Sequence, residues 1–314
     1  MDWRSARMIL CGDIGGTTIR LAEALSPRDI MLRQHVPTPT QDFEAFVAVL
    51  RTAVVQAKTP PRALALSLAG VIDPDTGLAT VANIPCLSGR PLLADLTAAL
   101  GLPVILANDA DCFALAEAQI GAGRGHAVVF GLILGTGVGG GVVVHGELIA
   151  ETGFAGEIGH GPVAQRILDD PAVTLPAFAC GCGLTGCLDA VCSARGMERL
   201  HRHLHGQDSD SRAIVGGWQD GDIAAAQTIA VWLAVLSGPL AMVQNVLGAG
   251  IIVVGGGLST APALVAALDV AVRARILRRT DRPLVVPAQC DVEPGLIGAA
   301  ILGLALADKI PRPV

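Results

Sequence analysis

The stretch Ala127–His145, AVVFGLILGTGVGGGVVVH, reads as strand, glycine turn, strand. Ala127–Leu134 is an apolar run, Gly135-Thr136-Gly137-Val138-Gly139-Gly140-Gly141 supplies the turn, and Val142–His145 is apolar again. The same grammar stands near the start of the chain. Met8–Leu10 leads into CGDIGGTTIRLAEAL, with its turn at Asp13-Ile14-Gly15-Gly16-Thr17-Thr18. Glycines let backbone N–H groups approach an anion closely, and threonine hydroxyls add donors. Taken singly, each turn reads equally well as an ordinary hairpin with a glycine bulge. Two Gly-Thr hairpins are better explained together, one for each side of a polyphosphate. No Gly-Lys-Ser/Thr follows either turn, which excludes a Walker A loop. Strands rather than helices follow them, which excludes the dinucleotide fingerprint. Asp13 is placed to hold a hydrated Mg²⁺ against phosphates.

Outside the hairpins, strand and helix signals follow one another along the chain. Its 314 residues are enough for two domains. The chain is 52 % hydrophobic, 16 % charged and lacks tyrosine, a globular and aliphatic composition. A net charge of −6 argues against nucleic acid or an anionic membrane surface as a partner. The apolar run after Met1–Arg7 is too short for a secretory signal. Ile229–Val243, the most membrane-like stretch, is interrupted by Ser237, Gly238 and Pro239, so it is expected to be a buried core helix kinked there. Eight cysteines without a secretory signal point to a reducing, cytoplasmic setting.

Helical periodicity predicts helices over Gln41–Lys58, with Asp42 as cap, Leu92–Leu100 closed by Gly101, Cys112–Gln119, Ala190–His205, Ile223–Leu247, Ala261–Leu277 and Gly295–Leu306. Buried strands are expected at Ala63–Leu68, Val104–Leu106, Ile251–Val254 and Leu284–Pro287, and a loop at Arg33–Thr40. Within Ala190–His205, His201 and His205 share a face and read as solvated. Asp109 stands where the strand Val104–Leu106 gives way to a helix. It reads either as a helix cap or as a proton acceptor for a substrate hydroxyl. Gly255-Gly256-Gly257 ends another strand and suits a flat ring lying against backbone.

A third dense stretch is Glu157–Asp189, EIGHGPVAQRILDDPAVTLPAFACGCGLTGCLD. Cys180, Cys182 and Cys187 are separated by glycines that allow one short loop to turn three sulfurs inward. With His160 as a fourth ligand they make a closed structural zinc site. A glycine-rich loop with free thiols is the alternative.

In combination, D-I-G-G-T-T at Asp13–Thr18, N-D-A-D at Asn108–Asp111, G-T-G-V-G-G-G at Gly135–Gly141, G-E-I-G-H at Gly156–His160, C-G-C-G-L-T-G-C-L-D at Cys180–Asp189 and V-G-G-G-L at Val254–Leu258 resemble the ROK sugar kinases in order and spacing. The resemblance spans nearly the whole chain. It implies two ribonuclease-H-like α/β domains of the actin/hexokinase superfamily around an interdomain cleft. Residues 1–117 plus 298–314 would form one domain, and 118–297 the other, carrying zinc. It implies phosphoryl transfer from ATP, with Mg²⁺, to the 6-hydroxyl of a hexose. Asn83–Leu92 and Asn108–Glu117 make N-acetyl-D-glucosamine the expected sugar, with glucose, N-acetylmannosamine and fructose as alternatives. Asp109 would be the catalytic base. Gly70, Asn83, Asn108, Asp109, Glu157, His160 and Asp189 would line the sugar site. Asp13, Gly15, Gly16, Thr17, Thr18, Gly135, Thr136, Gly137, Gly139, Gly255, Gly256 and Gly257 would hold the nucleotide. His160, Cys180, Cys182 and Cys187 would bind structural Zn²⁺. A homodimer is expected.

One position departs from the family pattern: Asp189 stands where Glu is usual. Some ROK proteins are repressors with a helix-turn-helix ahead of the first phosphate turn, but here that turn begins by Asp13, which weighs against this role. A sugar- or nucleotide-binding module without turnover is the remaining alternative.

Overall fold

Leucine, isoleucine and alanine dominate Ile9–Ile14 and Leu64–Leu68. Both runs are almost wholly buried, as strands covered on two faces must be. The computed structural model describes residues 7–81, 83–149, 153–162, 164–290 and 293–311. In chain order the first elements are β1 (Ile9–Ile14), β2 (Thr18–Ser26), β3 (Asp29–Pro37), α1 (Phe43–Gln56), β4 (Leu64–Leu68), the short pair β5 (Val71–Ile72) and β6 (Ala79–Thr80), α2 (Leu92–Leu100), β7 (Val104–Asn108) and α3 (Asp109–Ile120). After them come β8 (Val128–Leu134), β9 (Val138–Val144), β10 (Glu147–Leu148), and the short pair β11 (Ile167–Asp169) and β12 (Ala172–Thr174). The chain closes with α4 (Asp189–Cys192), α5 (Ala194–His205), α6 (Ser211–Gln219), α7 (Ile223–Leu247), β13 (Ile251–Gly255), α8 (Pro262–Arg273), β14 (Val285–Pro287) and α9 (Pro294–Lys309).

The chain divides into two compact units: residues 1–120, 147–155 and 290–314, and residues 121–146 with 156–289. The first unit is built on the sheet β3-β2-β1-β4-β7. Its β1–β2 and β2–β3 pairs are antiparallel, whereas β1–β4 and β4–β7 are parallel. The second sheet runs β10-β9-β8-β13-β14 and repeats the plan, with β8–β9 antiparallel and β8–β13 and β13–β14 parallel. Both sheets thus start from a hairpin whose tip is a Gly-Thr turn, and both add parallel strands through helical crossovers.

Within the first unit, α9 packs on β1, β4 and α3 through small residues. A Cβ on Gly298 would collide with the Cys112 carbonyl, and one on Gly303 would lie 2.6 Å from Ile9 Cδ1. This close approach seats the first turn of α3. Within the second unit, α7 is the core helix. Its fully buried Trp232 donates Nε1–H to the Cys192 carbonyl at 2.9 Å, tying α7 to the end of α4. The length and composition of α7 would suffice to cross a membrane, but its inner face fills this core, packing against α4, α5, α6 and α8.

Several expectations are corrected. Asp29–Pro37 is a strand rather than the loop expected from Arg33 onward; its polar residues face solvent at a sheet edge. Ala190–His205 is two helices, broken at Ser193, whose hydroxyl caps α5 by accepting the Gly196 N–H at 3.0 Å. His201 is buried, with Nδ1 2.8 Å from Thr228 Oγ1, and His205 Nε2 lies 3.1 Å from the same hydroxyl. The pair serves the α5–α7 interface instead of facing water. Helix α6 was not read from the sequence; Gly216 and Gly217 dilute its periodicity.

Because the Cys112 carbonyl cannot retreat without breaking α3, Gly298→Ala is expected to lower unfolding free energy by roughly 1–3 kcal/mol in a urea titration, with the secondary structure retained.

Candidate functional site

In the first unit, Asp13 is the penultimate residue of β1 and points into a polar cluster. Its Oδ1 accepts from Ser67 Oγ at 3.2 Å and its Oδ2 from Arg20 Nη1 at 3.4 Å. Arg20 Nε also reaches Glu293 at 3.2 Å. Burial raises the Asp13 carboxyl, opposed by the Ser67 hydrogen bond; Glu293 adds to the rise and Arg20 counters it. The turn beyond it is closed by Gly15 N–H donating to the Thr18 carbonyl at 3.0 Å, and Thr38 Oγ1 holds the Gly15 carbonyl at 2.6 Å. A Cβ on Gly16 would lie 2.7 Å from Asn83 Cβ, so the structure brings Asn83 against this turn.

Asn108, not Asp109, caps α3. Its Oδ1 accepts the Ala110 N–H at 2.8 Å, and its amide donates to the Gly70 carbonyl at 3.0 Å. Asp109 is therefore released from the capping task, and only its Oδ1 accepts, from Ala110 N–H at 2.9 Å. Its other oxygen makes no hydrogen bond among the described residues. Burial lifts Asp109 from 3.8 to about 6; the Ala110 N–H opposes this and the charge of Asp13 adds to it. Two carboxylates near enough to raise one of them form a site that favours a cation. Gly70, Asn108, Asp109 and Asp13 are thus linked within one unit. Sequence reasoning misses Ser67 and Arg20. The signal for Ser67 was present, a lone hydroxyl inside the apolar run Leu64–Leu68.

In the second unit, the β8–β9 turn is confined to Gly135–Gly137, because β9 starts at Val138 and not at Val142 as expected, with Gly139–Gly141 paired to β8. The turn is closed by Gly135 N–H donating to the Gly137 carbonyl at 3.0 Å. Gly256 has φ +85, and a Cβ there would lie 2.5 Å from the Leu134 carbonyl. Only glycine permits that contact, and it lays Gly255–Gly257 beside the turn. Glu157 and His160 follow, with His160 Nε2 3.9 Å from Glu157 Oε2. The other ring nitrogen, Nδ1, lies 3.7 Å from Cys180 Sγ, and Cys182 Sγ lies 3.6 Å from Cys187 Sγ. All four ligand atoms fall within 4.8 Å of one another. Sulfurs bound tetrahedrally to zinc at about 2.3 Å are spaced about this far apart, so the donor set and its geometry fit a structural zinc site. The Leu184 N–H lowers Cys182, whereas burial raises Cys180 to about 12, so a metal takes Cys180 as thiolate by displacing its proton. Asp189 begins α4. Its Oδ1 accepts the Val138 N–H at 2.7 Å, and its Oδ2 lies 3.8 Å from Cys180 Sγ.

Residues 9–305 match the ROK family. The chain belongs to the ROK family of sugar kinases. It is 35 % identical over 298 residues to N-acetylgalactosamine kinase AgaK of Shewanella sp. strain ANA-3, covering 94 % of this chain and 96 % of that one. It is 35 % identical over 300 residues to N-acetyl-D-glucosamine kinase of Pasteurella multocida strain Pm70, covering 93 % and 98 %. A Streptomyces griseus ROK glucokinase, solved with glucose and AMPPNP, superposes with a TM-score of 0.71 at 27 % identity, covering 94 % and 98 %. This ROK kinase has the mixed α/β, actin-like fold of those structures. Its His160/Cys180/Cys182/Cys187 cluster is consistent with the ROK zinc site.

Two measurements follow from this geometry. Elemental analysis should give about one zinc per chain, and Cys182→Ser should lose most of it. Asp109→Asn should raise the melting temperature at pH 7.5. The folded protein holds the Asp109 proton up to about 6 and the unfolded chain only to 3.8, so the wild type loses stability as pH rises through that window. The advantage of the variant should therefore shrink as pH falls and vanish below about 4.

Proposed function

We propose that this ROK kinase phosphorylates a 2-acetamido-2-deoxyhexose, N-acetyl-D-glucosamine first, at its 6-hydroxyl, releasing ADP. The reading is carried by Asp109: a carboxylate lifted to about 6, freed from capping by Asn108, with one oxygen left to accept a proton. Relatives named for N-acetylglucosamine and N-acetylgalactosamine stand at the same 35 % identity. Both of those sugars carry the 2-acetamido group and differ at C4. N-acetyl-D-galactosamine is accordingly the second reading.

In the proposed reaction the sugar O6 attacks the γ-phosphorus of ATP as the bond to the β–γ bridging oxygen breaks. Asp109 takes the hydroxyl proton as the attack proceeds. The backbone N–H groups and hydroxyls of Gly15–Thr18 and of Gly135, Thr136, Gly137 and Gly139 hold the phosphates, and Gly255–Gly257 offers a flat backbone surface to the nucleoside. Asp13 would hold the hydrated Mg²⁺ that accompanies ATP, an ion that would supply neutralisation of phosphate charge. On the first unit, Gly70, Asn83 and Asn108 are the residues assigned to sugar hydroxyls; on the second, Glu157 and His160 are the candidates for that task. His160, Cys180, Cys182 and Cys187 would hold zinc, which would fix the His160 ring so that its remaining nitrogen could meet a hydroxyl.

The active species is read as a cytoplasmic homodimer. Met242 and Val246 on α7 are 65 % and 73 % exposed, and Leu277 is 89 % exposed, with its N–H donating to Asn245 near the end of the same helix. Such a cluster of bare apolar side chains is suited to cover by a second chain.

Coupled ADP release should show N-acetyl-D-glucosamine turned over with the highest kcat/KM in a panel containing N-acetylgalactosamine, N-acetylmannosamine, glucose and fructose. A panel led by glucose or fructose overturns the acetamido reading, and no ADP with any sugar overturns the kinase reading. Light scattering should give twice the chain mass; a monomer contradicts the dimer.

A further inference from the structure

The segment that follows the last zinc ligand does more than close the metal loop. Asp189 Oδ1 accepts the Val138 N–H at 2.7 Å, just beyond the tip of the β8–β9 turn. Ala194 N–H donates to the Gly135 carbonyl at 2.8 Å, at the opposite end of that turn. Between them, Asp189 N–H donates to the Gly159 carbonyl at 2.8 Å, and a Cβ on Gly159 would collide with the Val138 carbonyl. Residues 189–194 therefore grip the Gly135–Val138 turn at both ends, with the Glu157–His160 segment interleaved. Trp232 anchors the same six residues from the core through the Cys192 carbonyl.

We propose that Asp189 is a positioning residue for the nucleotide-binding turn rather than a sugar ligand. One carboxylate oxygen is spent on Val138 and the other faces Cys180. The shorter aspartate side chain thus pulls the zinc loop and the turn into a single body, and the turn's N–H groups are held in the array that phosphates need. The proposal rests on the reading of Gly135–Gly141 as a phosphate-binding turn. It requires nothing of which sugar is phosphorylated.

The test compares Asp189→Ala with Asp189→Asn, whose amide oxygen still accepts the Val138 N–H. Calorimetry with AMPPNP and separately with N-acetyl-D-glucosamine gives the affinities, hydrogen exchange reports the Val138 region, and zinc content is measured for both variants. Asp189→Ala should weaken AMPPNP about tenfold or more, the loss expected when a buried donor is orphaned. It should also speed exchange at Val138, with sugar affinity within about twofold of wild type and zinc retained. Asp189→Asn should restore both nucleotide affinity and protection. Loss of sugar affinity with AMPPNP binding intact overturns the proposal, as does equal loss of both or unchanged exchange. Thr136→Ala separates the premise from the proposal. If it too leaves AMPPNP affinity unchanged, the phosphate-binding reading of the turn has failed; if it weakens AMPPNP while Asp189→Ala does not, only the role of Asp189 has failed.

Discussion

A half-buried carboxylate at the end of a parallel strand sets the terms for the first unit. Asp109 costs stability in its ionised form, and the fold tolerates the cost because its surroundings are over-determined. Asn108 takes over the cap, Gly70 receives the Asn108 amide, and α9 closes on α3 at a glycine that admits no side chain. Each arrangement stabilises the strand-to-helix junction without neutralising the Asp109 charge. What remains is a carboxylate whose proton affinity is raised and whose second oxygen is unused, the condition a general base needs.

The second unit solves a different problem by the same means. Its glycine turn, its flat strand end and its thiol loop must lie within backbone contact distance, and Gly159 and Gly256 make that possible. Side chains at either position would push the segments apart. The loop from which α4 and α5 start is thus already packed, and zinc held by His160, Cys180, Cys182 and Cys187 would add a further tie to it. In this unit the thiol loop, the β8–β9 turn and the Glu157–His160 segment are joined by direct contacts.

Much of this was legible in the sequence because it rests on local rules. The capping Asp42, the closing Gly101 and the Cys-x-Cys spacing each express chemistry confined to a few neighbours, and the structure places them as read. Both Gly-Thr stretches form hairpins, but the second turn is shorter than its glycines suggest, with β9 starting at Val138. The failures have tertiary causes. Strand β3 is polar because it lies at an edge, so its alternation is muted. His201 looked solvated because its partner, Thr228, is 27 residues away on another helix. The division of labour between Asn108 and Asp109 was ambiguous in sequence, since either can cap a helix; only the hydrogen-bond geometry separates them. The engagement of Asp189 with Val138 spans 51 residues and had no sequence signal at all.

The account turns on Asp109 acting in the chemical step, and single-turnover kinetics of Asp109→Asn test this most directly. With MgATP and sugar prebound, rapid quench should show phosphoryl transfer slowed by about 10²–10⁴-fold, while the sugar dissociation constant and zinc content match wild type. Transfer at a near-wild-type rate in that variant would contradict the account.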